Sequence, residues 1–427
     1  MKKFLSLLLT ALMLLAVMPA VHAEEPVTIR FSWWGDAVRH EATLKAIELF
    51  EQAYPNIHVE AEYGGWDGYT DKLTTQIMGG TAADVVQDGG HFQTYIIYGA
   101  QYTDLNDYLD IIDTSHFSQS LLESYCTVNG QLISMPTGVQ AWTTLQNTSL
   151  LEDNGVEIPQ RWTWDTLVEA SKKLHEADPE AYMLNVSMET MTNWLFPMYI
   201  QQKVGGTVIN NDYEMEFTAE DLTAYLTWLE DMWAANGLQG RSEQLLYDGS
   251  PLENPKWNGG KLAISMCSSA SYSWYVYDEY LKEHIDVVDC FSFPEGEGDN
   301  DTIVVPPASF YNIPAASEHK KEAATLINFL LNDLDAGRAQ GTVRSLPANS
   351  EVLSVLQAEN MVDAGIARAV ELGSPRACIN RGTPTGLNEV QNVLADYIEQ
   401  IAYGQITAAE AGPQCYEEIQ EALEDVQ

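Results

Sequence analysis

The beginning of the chain alternates between the hydrophobic periods of strands and of helices. Apolar and polar residues alternate over 27–32 and again over 57–63, which predicts two half-buried strands. Apolar residues recur every three or four positions over 44–54 and 73–78, which predicts two helices. A short apolar run over 84–86 predicts a third strand. Strands that alternate with helices in this way favour a parallel sheet covered by helices.

The same succession of elements restarts further along the chain. Thr163 is placed to cap a helix that carries Leu167 and Leu174 on one face. No internal repeat or low-complexity linker separates the two halves, so we expect two α/β lobes joined by tight crossings. Further elements are predicted at 261–266 (a strand), 322–334 (a helix) and 389–401 (a helix).

The N-terminal residues predict an export signal. Two lysines precede an apolar run over 4–17, and a small-residue cleavage site ends at Ala23. We therefore expect residues 1–23 to be removed. The first cysteine of the chain is Cys126, so no lipid-accepting cysteine follows the apolar run. These features predict a secreted protein, periplasmic or at the cell surface, that lacks a lipobox cysteine.

Charge and cysteine content narrow the range of functions. The chain has 62 acidic and 21 basic residues, a net charge of −41, which repels nucleic acid and anionic lipid. Its five cysteines form no CxxC pair and lie near no histidine at metal-ligand spacing. One disulfide is an open alternative to buried free thiols, and Cys267–Cys290 is as good a choice of pair as any. We expect no metal and no other cofactor.

The ends of the predicted strands carry residues suited to a sugar. In open α/β sheets, ligands bind beyond the carboxyl ends of strands, which here means Trp34 and Asp36 after the first strand and Asp88 after the third. Trp66 and Tyr69 follow the second strand. The apolar C–H face of a pyranose stacks on aromatic rings, and its hydroxyl groups donate to carboxylates. The alternatives are core packing for the aromatic residues and helix capping for the two aspartates.

Other candidates lie further along the chain or near predicted crossings between lobes. Gln140 and Arg344 fall where both lobes could touch a ligand, although Arg344 could instead form an ion pair between the lobes. Arg39 follows Asp36 at the start of a helix. Aromatic candidates that could equally pack in the core are Trp142, Trp194 and Trp274.

Several short motifs occur in a fixed order along the chain. They are Phe31-Ser-Trp-Trp-Gly-Asp36, Asp84-Val-Val86, Met135-Pro-Thr-Gly138, Trp257-Asn-Gly-Gly-Lys-Leu-Ala-Ile264 and Phe310-Tyr-Asn-Ile-Pro314. Each motif is weak by itself. In this order, from about Val27 to the C-terminus, they make the chain resemble the family 1 extracellular solute-binding proteins that supply carbohydrates to ABC importers.

The resemblance implies a two-lobed periplasmic-binding-protein fold. Each lobe is expected to be a mainly parallel sheet flanked by helices, with the ligand cleft between the lobes. We predict an N-terminal lobe of residues 24–137 plus 303–343 and a C-terminal lobe of residues 138–302 plus 344–427. The chain should cross between them near 136–142, 294–311 and 344–347.

The resemblance also implies how the protein works and adds two site residues. Lobes that close around an oligosaccharide and then dock on an ABC permease in the membrane would make this chain a receptor, and we expect a monomer. Family ligand contacts match Trp34, Asp36, Asp88 and Gln140, and a further contact region matches Ser268, Ser269 and Trp274. Gln140 stands where some relatives carry an acidic residue, so the pattern of hydroxyl contacts can differ here.

Two other kinds of function remain open. The same fold could bind a polyamine, a metal or a peptide, and the acidic composition suits a polyamine. An exported lyase or glycosidase would need two carboxylates across one bond, which a chain with 62 acidic residues can supply. The sequence has no HExxH or GxSxG motif and no phosphate-binding loop, and its eight histidines are scattered. We therefore expect a binding protein and not an enzyme.

Overall fold

The computed structural model of the chain describes residues 26–89, 101–210, 212–277, 279–293, 303–304, 308–373, 377–378 and 388–425. The predicted export signal, residues 1–23, lies outside these ranges. Among the described residues, no helix combines the length and the apolar character that crossing a bilayer requires.

The strands are numbered here in chain order. They are β1 Val27–Trp34, β2 Ile57–Gly64, β3 Val85–Asp88, β4 Thr127–Val128, β5 Gln131–Leu132, β6 Met135–Pro136, β7 Gly138–Val139, β8 Trp142–Asn147, β9 Tyr182–Asn185, β10 Leu262–Ser268, β11 Ile285–Val288, β12 Ile303–Val304, β13 Phe310–Asn312, β14 Leu346–Pro347 and β15 Ala377–Cys378.

The α-helices of six or more residues are numbered in the same way. They are α1 Ala37–Ala53, α2 Tyr69–Met78, α3 Thr148–Asp153, α4 Trp164–Ala177, α5 Phe196–Val204, α6 Ala219–Ala234, α7 Glu279–His284, α8 Lys320–Asn332, α9 Leu334–Gln340, α10 Ser350–Ala358, α11 Ala364–Gly373, α12 Asn388–Ala402 and α13 Ala408–Glu424. Shorter helical turns connect them, including the π-turn Met191–Leu195 and the 3-10 turn Ser269–Ser271.

Local sequence explains where these elements begin and end. The side chain of Asp36 caps α1 by accepting the backbone N–H of Arg39, and Thr163 forms a capping box with Thr166 at the start of α4. Gly80, just after α2, has a φ of 63°, which glycine adopts without strain. The predicted bounds of the first three strands are within two residues of the observed ones.

The first lobe is built on a five-stranded sheet in the order β2-β1-β3-β13-β6. Strands β1, β2 and β3 run parallel, as the alternation of strands and helices predicts. The buried face of β1, with Phe31 and Trp33, packs with Phe50 of α1 and Tyr311 of β13 in one hydrophobic core. The carboxyl ends of β1, β2 and β3 therefore share one edge of the sheet.

The second lobe is built on the sheet β11-β8-β10-β9, and its strand directions differ from the prediction. Only β9 and β10 are parallel, whereas β8 is antiparallel to both β10 and β11. The expectation of a mainly parallel sheet is therefore wrong for this lobe. The reason lies in the connections: β8 enters the lobe from a crossing at the lobe boundary, so it runs opposite to β10, which returns to that boundary.

The crossings between lobes converge on one small region. Strand β7 pairs with β14, so the crossings predicted near 136–142 and 344–347 lie side by side. The backbone N–H of Ala308 donates to the carbonyl of Gly138 at 2.7 Å, which brings the third crossing beside them. A Cβ on Gly138 would lie 2.3 Å from the carbonyl oxygen of Arg344, so only glycine allows this approach.

The structure moves two of the predicted lobe boundaries. Strand β12 was predicted to open the return segment of the first lobe, but it pairs with β15 and lies against α5 of the second lobe. Helix α10 was predicted to belong to the second lobe, but the backbone N–H of Ser350 donates to the carbonyl of His116 in the first lobe. We therefore place the return to the first lobe after β12 and extend that lobe through α10.

Candidate functional site

The ends of the first three strands form an aromatic patch on the first lobe. Trp34 ends β1 and Trp66 follows β2; their ring centroids are 5.1 Å apart and their planes meet at 62°. Gly89 follows β3, and a Cβ at this position would lie 2.9 Å from the Trp66 ring and 3.5 Å from that of Trp34. The missing side chain therefore lets the two indoles close over this backbone. We call Trp34, Trp66, Asp88 and Gly89 the first-lobe wall.

Tyr69 lies behind this wall and supports it. Its ring centroid is 5.2 Å from that of Trp34, and its hydroxyl donates to the carbonyl of Gln87 at 2.9 Å and lies 3.3 Å from the hydroxyl of Ser32. Burial raises the pKa of Tyr69 above its usual value. The sequence predicted a ligand contact at Tyr69, but in the structure its hydroxyl is already used between the strands.

The two predicted acidic residues differ in their surroundings. Asp36 is half-buried and accepts the backbone N–H of Arg39 at 2.9 Å, which is the capping role left open by the sequence. Asp88 is buried at the end of β3, and the hydroxyl of Tyr102 donates to its Oδ2 at 3.0 Å. Tyr102 was not predicted; its backbone forms an isolated bridge to Pro314, a residue far along the chain that no local pattern connects to it.

The second lobe presents another pair of tryptophans. Trp142 is the first residue of β8, and Trp194 belongs to the π-turn Met191–Leu195. Their ring centroids are 3.9 Å apart with planes at 30°, so they stack face to face. In the described part of the protein the buried indole Nε1–H of Trp142 has no hydrogen-bond partner. We call these two residues the second-lobe wall.

This pair also lies at the edge of its sheet. Trp142 is opposite Ser268, the last residue of β10, so the second-lobe wall stands at the carboxyl end of that strand. Parallel strands β9 and β10 end on this same side. Each lobe therefore carries one tryptophan pair at a strand-end edge, which is where the fold class places ligands.

Polar residues near the crossings fall into two groups. Ser268 is half-exposed, and its hydroxyl donates to Oε1 of Gln140, so these two predicted residues are in contact. Ser269 is fully buried; its hydroxyl accepts the backbone N–H of Ala141 at 3.1 Å and lies 2.8 Å from the hydroxyl of Ser345. Ser269, predicted to contact ligand, is therefore a buried residue whose hydroxyl links two of the crossings.

Arg344, a further predicted ligand contact, is buried and makes its hydrogen bonds to side chains of the first lobe. Its Nε donates to Oε1 of Gln87 at 2.9 Å, and its two terminal nitrogens donate to Thr43 and Gln340 at 3.0 and 3.3 Å. These acceptors are neutral side chains of the first lobe, and among the described residues Arg344 forms no ion pair between the lobes; its role as a ligand contact stays a prediction. Burial lowers its pKa.

Arg39 and Trp274 meet where the lobes touch. The Arg39 side chain is 3% exposed, and its carbon Cζ lies 5.1 Å from the ring centroid of Trp274, a residue of the second lobe. Burial, and then the charge of Arg344, lower the pKa of Arg39 to about 9. Both residues were predicted to contact ligand; in the structure they contact each other.

Four cysteines of the described residues are buried thiols. Cys126, Cys267, Cys290 and Cys415 are all buried and reduced, so the Cys267–Cys290 bridge is absent and the alternative of buried thiols holds. Burial raises the pKa of the Cys126 thiol to about 12.

A groove elsewhere in the second lobe has different chemistry. Its volume is about 1030 Å³, and it lies between α4, α6 and α13, lined by residues such as Asp165, Thr227 and Pro413. None of its lining residues stands at a strand end, and neither tryptophan pair contributes to it. We therefore place the candidate site at the two walls.

Comparison with known proteins identifies the family. A family model of the bacterial extracellular solute-binding proteins matches residues 36–334, well over half of the chain. The chain therefore belongs to this family. An uncharacterized lipoprotein from the oleD 5′ region of Streptomyces antibioticus is 24% identical over 399 residues, which covers 90% of this chain and 85% of that protein.

Solved structures agree with the predicted fold. The periplasmic oligogalacturonide-binding protein of Yersinia enterocolitica, in complex with saturated digalacturonic acid, superimposes with a TM-score of 0.81 at 27% identity, over 93% of this chain and 99% of that one. The GacH receptor of Streptomyces glaucescens, an acarbose-binding protein, has a TM-score of 0.76 at 15% identity over 94% and 100%, which shows the fold alone. The predicted family and the two-lobed α/β fold are confirmed.

Proposed function

We propose that this solute-binding protein is exported, captures an oligosaccharide between its lobes as a monomer, and delivers it to the membrane permease of an ABC importer. One observation carries the proposal: each lobe has a tryptophan pair at a strand-end edge, Trp34 with Trp66 and Trp142 with Trp194. Indole rings offer wide apolar faces to the C–H faces of pyranose rings, and two such pairs suit a ligand of more than one sugar unit.

Polar groups beside the tryptophans supply the hydroxyl contacts that a sugar needs. The buried Nε1–H of Trp142, which has no hydrogen-bond partner among the described residues, is a donor that a sugar hydroxyl would satisfy. Asp88 offers carboxylate oxygens, which accept hydroxyl protons, and Gln140 and Ser268 stand where the chain crosses between lobes. A mainly apolar site with few aimed polar groups is the usual arrangement for small ligands.

The relatives support this ligand class and suggest where to start. The Yersinia protein, similar over nearly its whole length, holds digalacturonic acid, an acidic disaccharide. We therefore take uronate oligosaccharides, together with neutral ones, as the first candidates. A polyamine receptor is the second candidate, because a net charge of −41 attracts polycations.

A thermal-shift screen of the chain from Glu24 onward tests the proposal. The panel contains neutral oligosaccharides, digalacturonic acid, spermidine and zinc. A ligand that binds only the folded state raises the melting temperature by mass action, so we expect a saturable rise with one oligosaccharide class. Calorimetric titration then gives the affinity. A rise with spermidine or zinc alone would replace the sugar by that ligand.

One tryptophan variant and its control test whether Trp142 contacts the ligand. Trp142→Phe keeps the aromatic plane and removes the indole N–H, so we expect affinity to fall about tenfold, the loss of one hydrogen bond of about 1.4 kcal/mol. Trp233→Phe is the matched control, since its indole N–H already donates to the carbonyl of Gln239 within the second lobe and Trp233 belongs to neither wall. Equal affinity of the Trp142→Phe variant and the wild type would remove Trp142 from the site.

A further inference from the structure

Arg39 makes hydrogen bonds to three parts of the chain that are far apart in sequence. Its Nη1 donates to the carbonyl of Trp34 at 3.3 Å, at the end of β1. Its Nε donates to the carbonyl of Val343 at 2.9 Å, at the crossing after α9. Its Nη2 donates to the carbonyl of Ala270 at 3.3 Å, in the 3-10 turn that follows β10 of the second lobe. One guanidinium therefore joins the first lobe, a crossing and the second lobe.

The surroundings of Arg39 fit the side chain closely. A Cβ on Gly35 would lie 2.5 Å from Cδ of Arg39 and 2.9 Å from its Cβ, so the glycine leaves room for the arginine stem. The Trp274 ring, which comes from the second lobe but packs against the first-lobe core, covers the guanidinium at 5.1 Å. The planar fork of arginine suits such stacking and several acceptors at once.

The charges around Arg39 do not explain its position. Among the described residues it forms no ion pair; the nearby Arg344 repels it, and Asp36, whose carboxylate caps α1, attracts it. Its stabilisation therefore comes from the three carbonyl oxygens and the indole face. Two of those four partners, Ala270 and Trp274, belong to the second lobe.

We propose that Arg39 is a positioning residue that holds the two lobes together and favours the arrangement of the lobes in this structure over a more open, separated one. A separation of the lobes that moves the 269–274 segment away from β1 would break the bond of Arg39 to Ala270 and its stacking on Trp274, whereas its bond to Trp34 lies within the first lobe. The inference rests on the proposed function only in its assumption that closure traps the ligand. A ligand binds the closed state more tightly, so any contact that populates this state raises the apparent affinity.

The test uses the ligand-free chain, so it does not depend on which sugar binds. Small-angle X-ray scattering reports the separation of the lobes through the radius of gyration. Hydrogen–deuterium exchange reports the protection of the backbone amides of 269–272. Arg39→Met removes every guanidinium bond but keeps an unbranched stem, and Trp274→Leu removes the covering ring from the other lobe without touching the first-lobe side chain.

We expect both variants to give a larger radius of gyration and faster exchange at 269–272 than the wild type. Loss of one charge-assisted bond shifts the equilibrium toward the open state about tenfold. Arg39→Lys, which keeps the charge but loses the fork, should lie between the wild type and Arg39→Met. Arg338→Met is the matched control, because Arg338 is a half-exposed arginine that pairs with Asp335 and Glu359 within the first lobe.

The outcomes separate this proposal from the proposed function. Unchanged scattering and exchange in folded Arg39→Met and Trp274→Leu proteins would overturn the link, whatever the ligand. In a second arm, titration with digalacturonic acid should show an affinity about tenfold lower for Arg39→Met than for the wild type. If digalacturonic acid fails to bind the wild type, the acidic-sugar candidate fails, while the ligand-free measurements still decide the role of Arg39.

Discussion

The first-lobe wall and the second-lobe wall use the same residue type in different ways. Trp34 is 6% exposed and belongs to the core of its lobe, packed against Tyr69 and Trp66. Trp142 and Trp194 are half-buried and stack on each other, and Trp142 also packs against the edge of the second-lobe core. Side chains that complete a core cannot be removed without loss of stability. Binding and folding are therefore more tightly coupled in the first-lobe wall, where Trp34 belongs to the core, than in the second-lobe wall, where Trp142 only borders the second-lobe core.

The largest expected effect is on stability. Trp34→Ala would open a cavity in the first-lobe core and should cost about 3–5 kcal/mol of unfolding free energy. Trp142→Ala removes a half-buried ring and one stacking contact and should cost about 1.5 kcal/mol. Urea unfolding followed by circular dichroism measures both. Equal costs for the two variants would show that the two walls do not differ in this way.

A smaller loss of stability is expected when one carbon atom is added to the first-lobe wall. In Gly89→Ala the new Cβ would lie 2.9 Å from the Trp66 ring, which is half-buried and has to move. We expect a loss of about 1 kcal/mol of stability and weaker binding of the ligand found in the screen. Gly240→Ala is the control, because no atom lies within 4 Å of a Cβ there. Binding unchanged from the wild type would mean that the position of Trp66 does not affect the ligand.

The smallest expected effect is a change of folding stability with pH, which arises in the first lobe. The Nε1–H of Trp33 donates to Nδ1 of His40 at 3.1 Å, which requires a neutral imidazole nitrogen. Burial lowers the pKa of His40; Asp36 opposes this shift, and Arg39 and Arg344 add to it. The unfolded chain therefore takes up a proton that the folded chain does not.

The sign of the pH effect follows from that difference. The stabilisation is fully present above the unfolded pKa of about 6.5 and is lost as the pH falls from there through the folded pKa. We expect the melting temperature of His40→Gln to fall less than that of the wild type over this window. If the melting temperatures of the two proteins fall by the same amount over this pH window, His40 makes no contribution to the pH dependence of stability.

Local patterns were enough to predict most elements of the first lobe. The strands and helices over 27–86 follow from hydrophobic period, and the cap at Asp36 depends on a residue three positions away, as does the cap at Thr163 in the second lobe. The edge that carries Trp34, Trp66 and Asp88 follows from parallel strands, because their carboxyl ends must lie together. The ordered motifs supplied the family, which the family match confirms.

Sequence patterns did not predict the role of a residue when its hydrogen-bond partner lies far along the chain. Arg344 bonds to Gln87, 257 positions away, and Arg39 bonds to Val343, 304 positions away, so no local spacing could show that both guanidiniums are already used. Gln87 follows the predicted strand over 84–86, and no local pattern indicated that its side chain accepts a hydrogen bond from Arg344. The direction of β8 was missed for the same reason, since it depends on where the chain crosses between lobes.

The three hydrogen-bond acceptors of Arg39 are all main-chain carbonyl oxygens. Such an oxygen is present whatever side chain stands at positions 34, 270 or 343. Substitutions at these positions that adapt the protein to a different solute would therefore leave the acceptors in place. Ligand specificity can therefore change while the hydrogen bonds of Arg39 between the lobes are retained, provided that position 39 keeps its arginine and position 35 its glycine.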